Sequence, residues 1–203
     1  YQAGYSNTTG SNNIAIGYVA LNDATTASDN IAIGSNALAA NTTGDRNTAI
    51  GSLAMITNST GSFNTAIGAG QAGIIQGALG LNTTGSNNTA VGYTSLRSNT
   101  TAGANTAVGY AAMYDNSTGQ FNLASGYLSL ENNTTGSYNT ALGALALDGN
   151  TTASSNTAVG YQAGYSNSTG SGNSIVGYQA GYSMTTAANA VLMGREAGYS
   201  ITT

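Results

Sequence analysis

The chain of 203 residues contains no cysteine, histidine, proline, tryptophan or lysine. Without cysteine and histidine there is no disulfide framework, no Cys/His zinc site and no imidazole acid–base chemistry. Missing cysteine is compatible with either redox compartment, so it does not place the chain inside a cell. Charged residues make up only 5% of the chain. They are Arg46, Arg97 and Arg195 against Asp23, Asp29, Asp45, Asp115, Glu131, Asp148 and Glu196, for a net charge of −4. Three scattered arginines cannot neutralise a phosphate backbone, so no nucleic-acid partner is expected. No run of 18 apolar residues occurs, so no membrane insertion is expected of this segment. The absence of proline suits strands paired on both sides, where a missing N–H would break a ladder.

What is present is a beat. Glycine falls at Gly17, Gly34, Gly51 and Gly68, then at Gly92, Gly109, Gly126, Gly143, Gly160, Gly177 and Gly194, a step of 17 residues. Only the step from Gly68 to Gly92 differs, and its 24 residues are one period plus a seven-residue insertion within 69–81. A fixed short period predicts stacked coils. Low charge with abundant Gly, Ser, Asn and Thr also suits disorder, but apolar residues held at fixed phase do not. Four residues before the glycine stands Asn13, Asn30, Asn47, Asn64, Asn88, Asn105, Asn122, Asn139, Asn156 or Asn173, with Ala190 the exception. A triplet such as Thr48-Ala49-Ile50 follows and reads as a short strand. No segment sustains helical periodicity over ten residues. The fold expected is all-β, a parallel β-solenoid of 17-residue coils, about 12 of them, as a single segment over 1–203.

Within that coil, the glycines are expected to mark corners that exclude a side chain or need positive φ. The asparagine column is expected to supply left-handed turns and axial hydrogen bonds. Residues after the glycine are apolar too: Leu21, Leu38 or Met55 in most coils, with Gly164-Tyr165 or Gly181-Tyr182 as a substitute, as if one space were filled from two positions. Because Ala and Val of a Thr-Ala-Val triplet point to opposite faces, one core is expected inside the coil and a second contact outside it. The simplest partner is a second copy, as a homotrimer or filament. The chain opens and stops in mid-repeat, so it is expected to be part of something longer.

Two columns are candidates for surface function. N-glycosylation sequons begin at Asn7, Asn41, Asn58, Asn82, Asn99, Asn116, Asn133, Asn150 and Asn167, which would imply exposed positions. Where Asn is replaced, by Ala24, Met184 or Ile201, the hydroxyl pair after it persists. The second hydroxyl is always threonine: Thr9, Thr26, Thr43, Thr60, Thr84, Thr101, Thr118, Thr135, Thr152, Thr169, Thr186 and Thr203. Three readings stand side by side: a stacked ladder that stiffens one face, a glycan-bearing column that keeps a nearly uncharged chain soluble, and an ice-binding array. Asp23 with Asp29, Asp45 with Arg46, and Arg195 with Glu196 sit at non-equivalent phases, so no catalytic residues, metal or cofactor are expected. Gly68–Gly73 lacks the Lys-Ser/Thr and the helix of a phosphate loop. A polysaccharide-acting enzyme would need an acidic groove of which the sequence shows no sign.

The run Asn-Thr-Ala-Ile-Gly-Tyr-x-Ala resembles the repeat of trimeric autotransporter adhesin heads of the YadA type. The longer unit Asn156–Gly170 is similar to repeats of bacterial surface and phage tail-fibre-like proteins. The resemblance covers nearly the whole chain. It implies a left-handed β-roll, three chains about one axis, and an extracellular, cell-surface or virion fibre that contacts glycans or host ligands. The period of 17 and the insertion depart from the pattern of those heads.

Overall fold

A computed structural model describes residues Tyr1–Thr202, and Thr203 of the threonine column lies outside them. The chain is an all-strand parallel β-solenoid of about 11 turns, with no helix among the described residues. It forms two compact units, Tyr1–Ala104 and the residues from Asn105 onward. No change of composition marks the division.

The first unit carries β1 (Ile14–Ile16), β2 (Ile31–Ile33), β3 (Thr48–Ile50), β4 (Thr65–Ile67) and β5 (Thr89–Val91). They pair in parallel, each with the next, as Ala15↔Ala32, Ala32↔Ala49 and Ala49↔Ala66. The second unit carries β6 (Thr106–Val108), β7 (Leu123–Ser125), β8 (Thr140–Leu142), β9 (Thr157–Val159), β10 (Ser174–Val176) and β11 (Val191–Met193), paired in the same way. The insertion leaves the register intact, because Ala66 pairs with Ala90 just as Ala49 pairs with Ala66. It folds outside the strands. Gln71 and Ile75 close a tight antiparallel turn with N–H···O distances of 2.7 and 2.9 Å. Its base, Gly77 to Gly80, is buried, while its tip Ile74 stands out 71% exposed.

Each strand occupies only three residues of a coil. The rest is held by bonds to the next coil, such as Leu38 N–H to Ala54 O at 3.0 Å and Thr42 N–H to Ser59 O at 2.9 Å. Turning so often requires left-handed backbone. Gly34 has φ 134°, and a Cβ added there would stand 2.6 Å from the Gly51 carbonyl, so both reasons for glycine hold at that corner. The asparagine column corrects the sequence reading. The left-handed residue is the one before it: Asp29 (φ 60°), Arg46 (55°) and Phe63 (59°) precede Asn30, Asn47 and Asn64.

The interior is built from the middle residue of each strand and the fourth residue after the glycine. Ala32, Ala49, Ala66, Ala107, Ala124 and Ala141 are fully buried, as are Leu38, Met55, Leu79, Met113, Leu130 and Leu147. Where glycine replaces the large residue in the second unit, the strand compensates. A Cβ on Gly164 would lie 2.9 Å from Ile175 Cδ1, and one on Gly181 would lie 3.1 Å from Leu192 Cδ1. Ile175 and Leu192 stand where other strands have alanine. Tyr165 and Tyr182 do not fill this space as the sequence suggested. They remain at the surface and stack on one another, ring centroids 5.1 Å apart.

Candidate functional surfaces

The sequon asparagines are structural. Asn41, Asn58, Asn82, Asn99, Asn116, Asn133, Asn150 and Asn167 are fully buried, and only Asn7, in the first coil, is exposed. Their Nδ2 atoms, the atoms a glycan would occupy, donate along the axis and within the coil. Asn58 Nδ2 reaches Asn41 Oδ1 at 2.9 Å and Gly61 O at 2.9 Å; Asn150 Nδ2 reaches Asn133 Oδ1 at 2.8 Å. The folded coil has no room for a sugar at these eight positions, so the expectation of nine exposed carriers is corrected.

The second asparagine column is joined to the first. Asn47 N–H donates to Asn30 Oδ1 at 2.9 Å, and Asn139 N–H donates to Asn122 Oδ1 at 2.9 Å. Asn47 Nδ2 then donates to Gly61 O at 2.8 Å, the carbonyl that Asn58 also uses. The same convergence occurs at Gly136 O, which takes Asn122 and Asn133, both at 2.9 Å. One carbonyl with two lone pairs accepts two buried amides in coil after coil. A buried polar group without a partner is costly, and this arrangement satisfies them pairwise.

The threonine column lies at the surface. Thr9, Thr26, Thr43, Thr60, Thr84, Thr101, Thr118, Thr135, Thr152, Thr169 and Thr186 are all exposed. The axial hydroxyl bonds belong instead to the residue before each of them. Thr42 Oγ1 donates to Ser59 O at 3.0 Å, Ser59 Oγ to Thr83 O at 3.0 Å, and Thr134 Oγ1 to Thr151 O at 3.0 Å. The hydrogen-bonded ladder and the exposed ladder are therefore neighbouring columns. The sequence signal for the first was present as an unbroken Ser/Thr position.

Outside the strands' inner alanines, the flanking residues face outward. In the first unit they are Ile14, Ile31, Thr48, Thr65 and Thr89 on one column and Ile16, Ile33, Ile50, Ile67 and Val91 on the other. Ile16 is 59% exposed. No charged residue stands at either position in any described strand. Two residues beyond the strand an aromatic column begins, with Tyr110 stacked on Tyr127 and Tyr161 on Tyr178, both at 5.4 Å between centroids.

Glu131 and Asp148 occupy the same phase of consecutive coils, a pairing that 131 plus 17 makes legible and that the sequence reading passed over. Burial pushes the Glu131 carboxyl up to about 7, helped by repulsion from Asp148, a hydrogen bond to it, and Asp115 nearby. Asp148 is raised by burial, and the hydrogen bond from Glu131 acts against this. Glu131 is thus the carboxyl of the pair whose proton-bound form is favoured, and when protonated it can donate a hydrogen bond to Asp148. No group of three His, Cys, Asp or Glu among the described residues is placed to hold a metal ion. An open pocket of about 330 Å³ lies beside the insertion, lined by Leu53, Ile56, Ile74, Ile75 and the side chains of Gln71 and Gln76. Comparison with known proteins finds no matching family model, no similar curated protein and no similar solved structure.

Proposed function

We propose that this chain is a structural segment of an extracellular fibre, at a cell surface or on a virion. In this reading it packs against copies of itself through its outward strand face and presents the threonine column to its surroundings. The observation that carries the reading is the uncharged, largely apolar outward face repeated from strand to strand in both units. Five or six strands at about 4.8 Å spacing make a patch on the order of a few hundred Å² per unit, the size that marks interaction surfaces. Repetition then gives the threonine column many identical contacts for a glycan or host surface, so weak single contacts add up. The role assigned is mechanical and not catalytic. Light scattering on the purified chain tests it. The expected mass is three chains, or a filament, and a stable monomer would overturn the reading.

A second reading is favoured by one feature. The threonine hydroxyls are exposed, evenly spaced by the coil stack, and have no intramolecular partner among the described residues. Such an array suits ice binding. A thermal-hysteresis measurement decides it, with growth arrest expected only if this surface binds ice.

A further inference from the structure

The aromatic column of the second unit has one level missing. Successive coils place Tyr110, Tyr127, Ala144, Tyr161, Tyr178 and Arg195 at the same phase. Tyr110 and Tyr127 stack with ring planes 19° apart, and Tyr161 and Tyr178 stack at 23°. One planar group therefore fills each level, except at Ala144. Two coil steps separate Tyr127 from Tyr161, about 9.6 Å along the axis, with a methyl group at the level between. Both rings are open to solvent, Tyr127 at 54% and Tyr161 at 43% exposed. The gap is one planar group thick, because a ring or guanidinium occupies the same place in the neighbouring levels.

Ring faces elsewhere in the chain are covered either by another ring, as Phe121 and Tyr138 cover one another at 5.2 Å, or by a guanidinium. At the end of this same column the guanidinium of Arg195 lies 5.6 Å from the Tyr178 ring centroid. In the first unit the guanidinium of Arg46 lies 5.2 Å from the Phe63 ring. An aromatic face carries negative quadrupole potential, and a planar cation is drawn to it. Two such faces turned toward one level attract a planar cation from both sides, whereas a neutral ring held face to face between them gains less. The one arginine of the second unit, Arg195, three coils from Ala144, covers Tyr178.

We propose that the level at Ala144 is a binding slot for a guanidinium group, presented as an arginine side chain by a partner and held between Tyr127 and Tyr161. The site is distinct from the outward strand face and from the threonine column, and it does not rest on the fibre reading.

The test is a ¹H NMR titration of N-acetylarginine methylamide with the purified 203-residue chain. A guanidinium between two rings moves the neighbouring δ-methylene protons upfield, and the shift saturates at one site per chain. The variant A144R puts a guanidinium over Tyr127 as Arg195 covers Tyr178, and A144Y puts a ring at the same level. Both are expected to keep the circular-dichroism spectrum and to abolish the saturable shift. Tyr127→Leu removes one wall and is expected to weaken binding at least tenfold. N-acetyllysine methylamide and 4-methylphenol at equal concentration are expected to give no saturable shift. An unchanged shift in folded A144R or A144Y would overturn the proposal, and so would stronger binding of 4-methylphenol or no saturable binding of the arginine probe.

Discussion

At the residue scale, asparagine carries this fold. It offers two donors on nitrogen and an acceptor on oxygen, all in one plane and all uncharged. That is what a buried column with a fixed repeat can use. Oδ1 accepts from the coil on one side, and Nδ2 donates to a carbonyl that a second asparagine shares. Removing one amide leaves several partners stranded. Asn58→Ala deletes the bonds to Asn41 Oδ1 and Gly61 O and leaves Asn82 Nδ2 without Asn58 Oδ1, 2.8 Å away. The expected loss is about 2–3 kcal/mol, read by urea denaturation. Asn58→Asp is expected to cost more, because it sets a carboxylate against two oxygens. A loss below about 0.5 kcal/mol for both would mean that the ladder contributes little. Glu131 makes a different prediction. Its carboxyl titrates at about 7 in the folded chain against 4.5 in ordinary surroundings, so the folded state binds its proton more tightly than the unfolded state. The linked stability is complete below about pH 4.5 and is lost as pH rises through 7. Thermal midpoints are expected to fall across that window, and Glu131→Gln, which keeps the donor and cannot ionise, is expected to flatten the fall. A midpoint that rises from pH 5 to 8 would contradict it.

At the scale of one coil, packing is shared between the strand's middle residue and the fourth residue after the glycine. A large residue at one demands a small residue at the other. Leu130 or Leu147 goes with alanine in the strand, and Gly164 or Gly181 goes with Ile175 or Leu192. The left-handed backbone at this position is common to both solutions, φ 51° at Leu147 and 64° at Gly164, so leucine is admissible where glycine now stands. Ile175→Ala is expected to cost about 2–4 kcal/mol as a cavity. Gly164→Leu alone is expected to cost about 1–3 kcal/mol by overpacking against Ile175. Together they recreate the other solution, and the double variant is expected to be more stable than either single one in a double-mutant cycle. Strict additivity would show that the two positions do not share a space. This exchange also marks the limit of what the sequence discloses. The glycine beat, the triplet strands and the parallel register were legible because each recurs at fixed phase and has a local cause. The direction in which Tyr165 points was not legible, since its alternatives differ only in which coil neighbour fills the interior. The burial of Asn58 was hidden for a related reason. A sequon describes three residues, and burial is decided by the coils above and below.

At the scale of the whole molecule, the scarcity of charge decides how association can work. Two ion pairs, Arg46 with Asp29 at 3.8 Å and Arg195 with Glu196 at 3.2 Å, are exposed and contribute little. Neither can steer a partner onto the strand face, which has no charge of its own. Under the proposed self-association, packing of that face against another copy would therefore rest on burial of Ile, Val, Leu and Met side chains, at about 25 cal/mol for each Å² removed from water. Two consequences separate this from an electrostatic contact. Added salt leaves the association unweakened, because screening acts only on charges. A single carboxylate on the face opposes it strongly, because packing would bury that charge unpaired. Ile50→Asp with Val159→Asp places one carboxylate in each unit at half-buried outward positions and leaves the inner alanines untouched. The expected outcome is a fall in mass by light scattering to that of one chain, 20.0 kDa, with an unchanged circular-dichroism spectrum. Thr43→Asp with Thr152→Asp adds the same charge on the exposed threonine column and is expected to leave the mass of the assembly as it was. Equal dissociation by both pairs would assign the effect to net charge and remove the strand face from the interface.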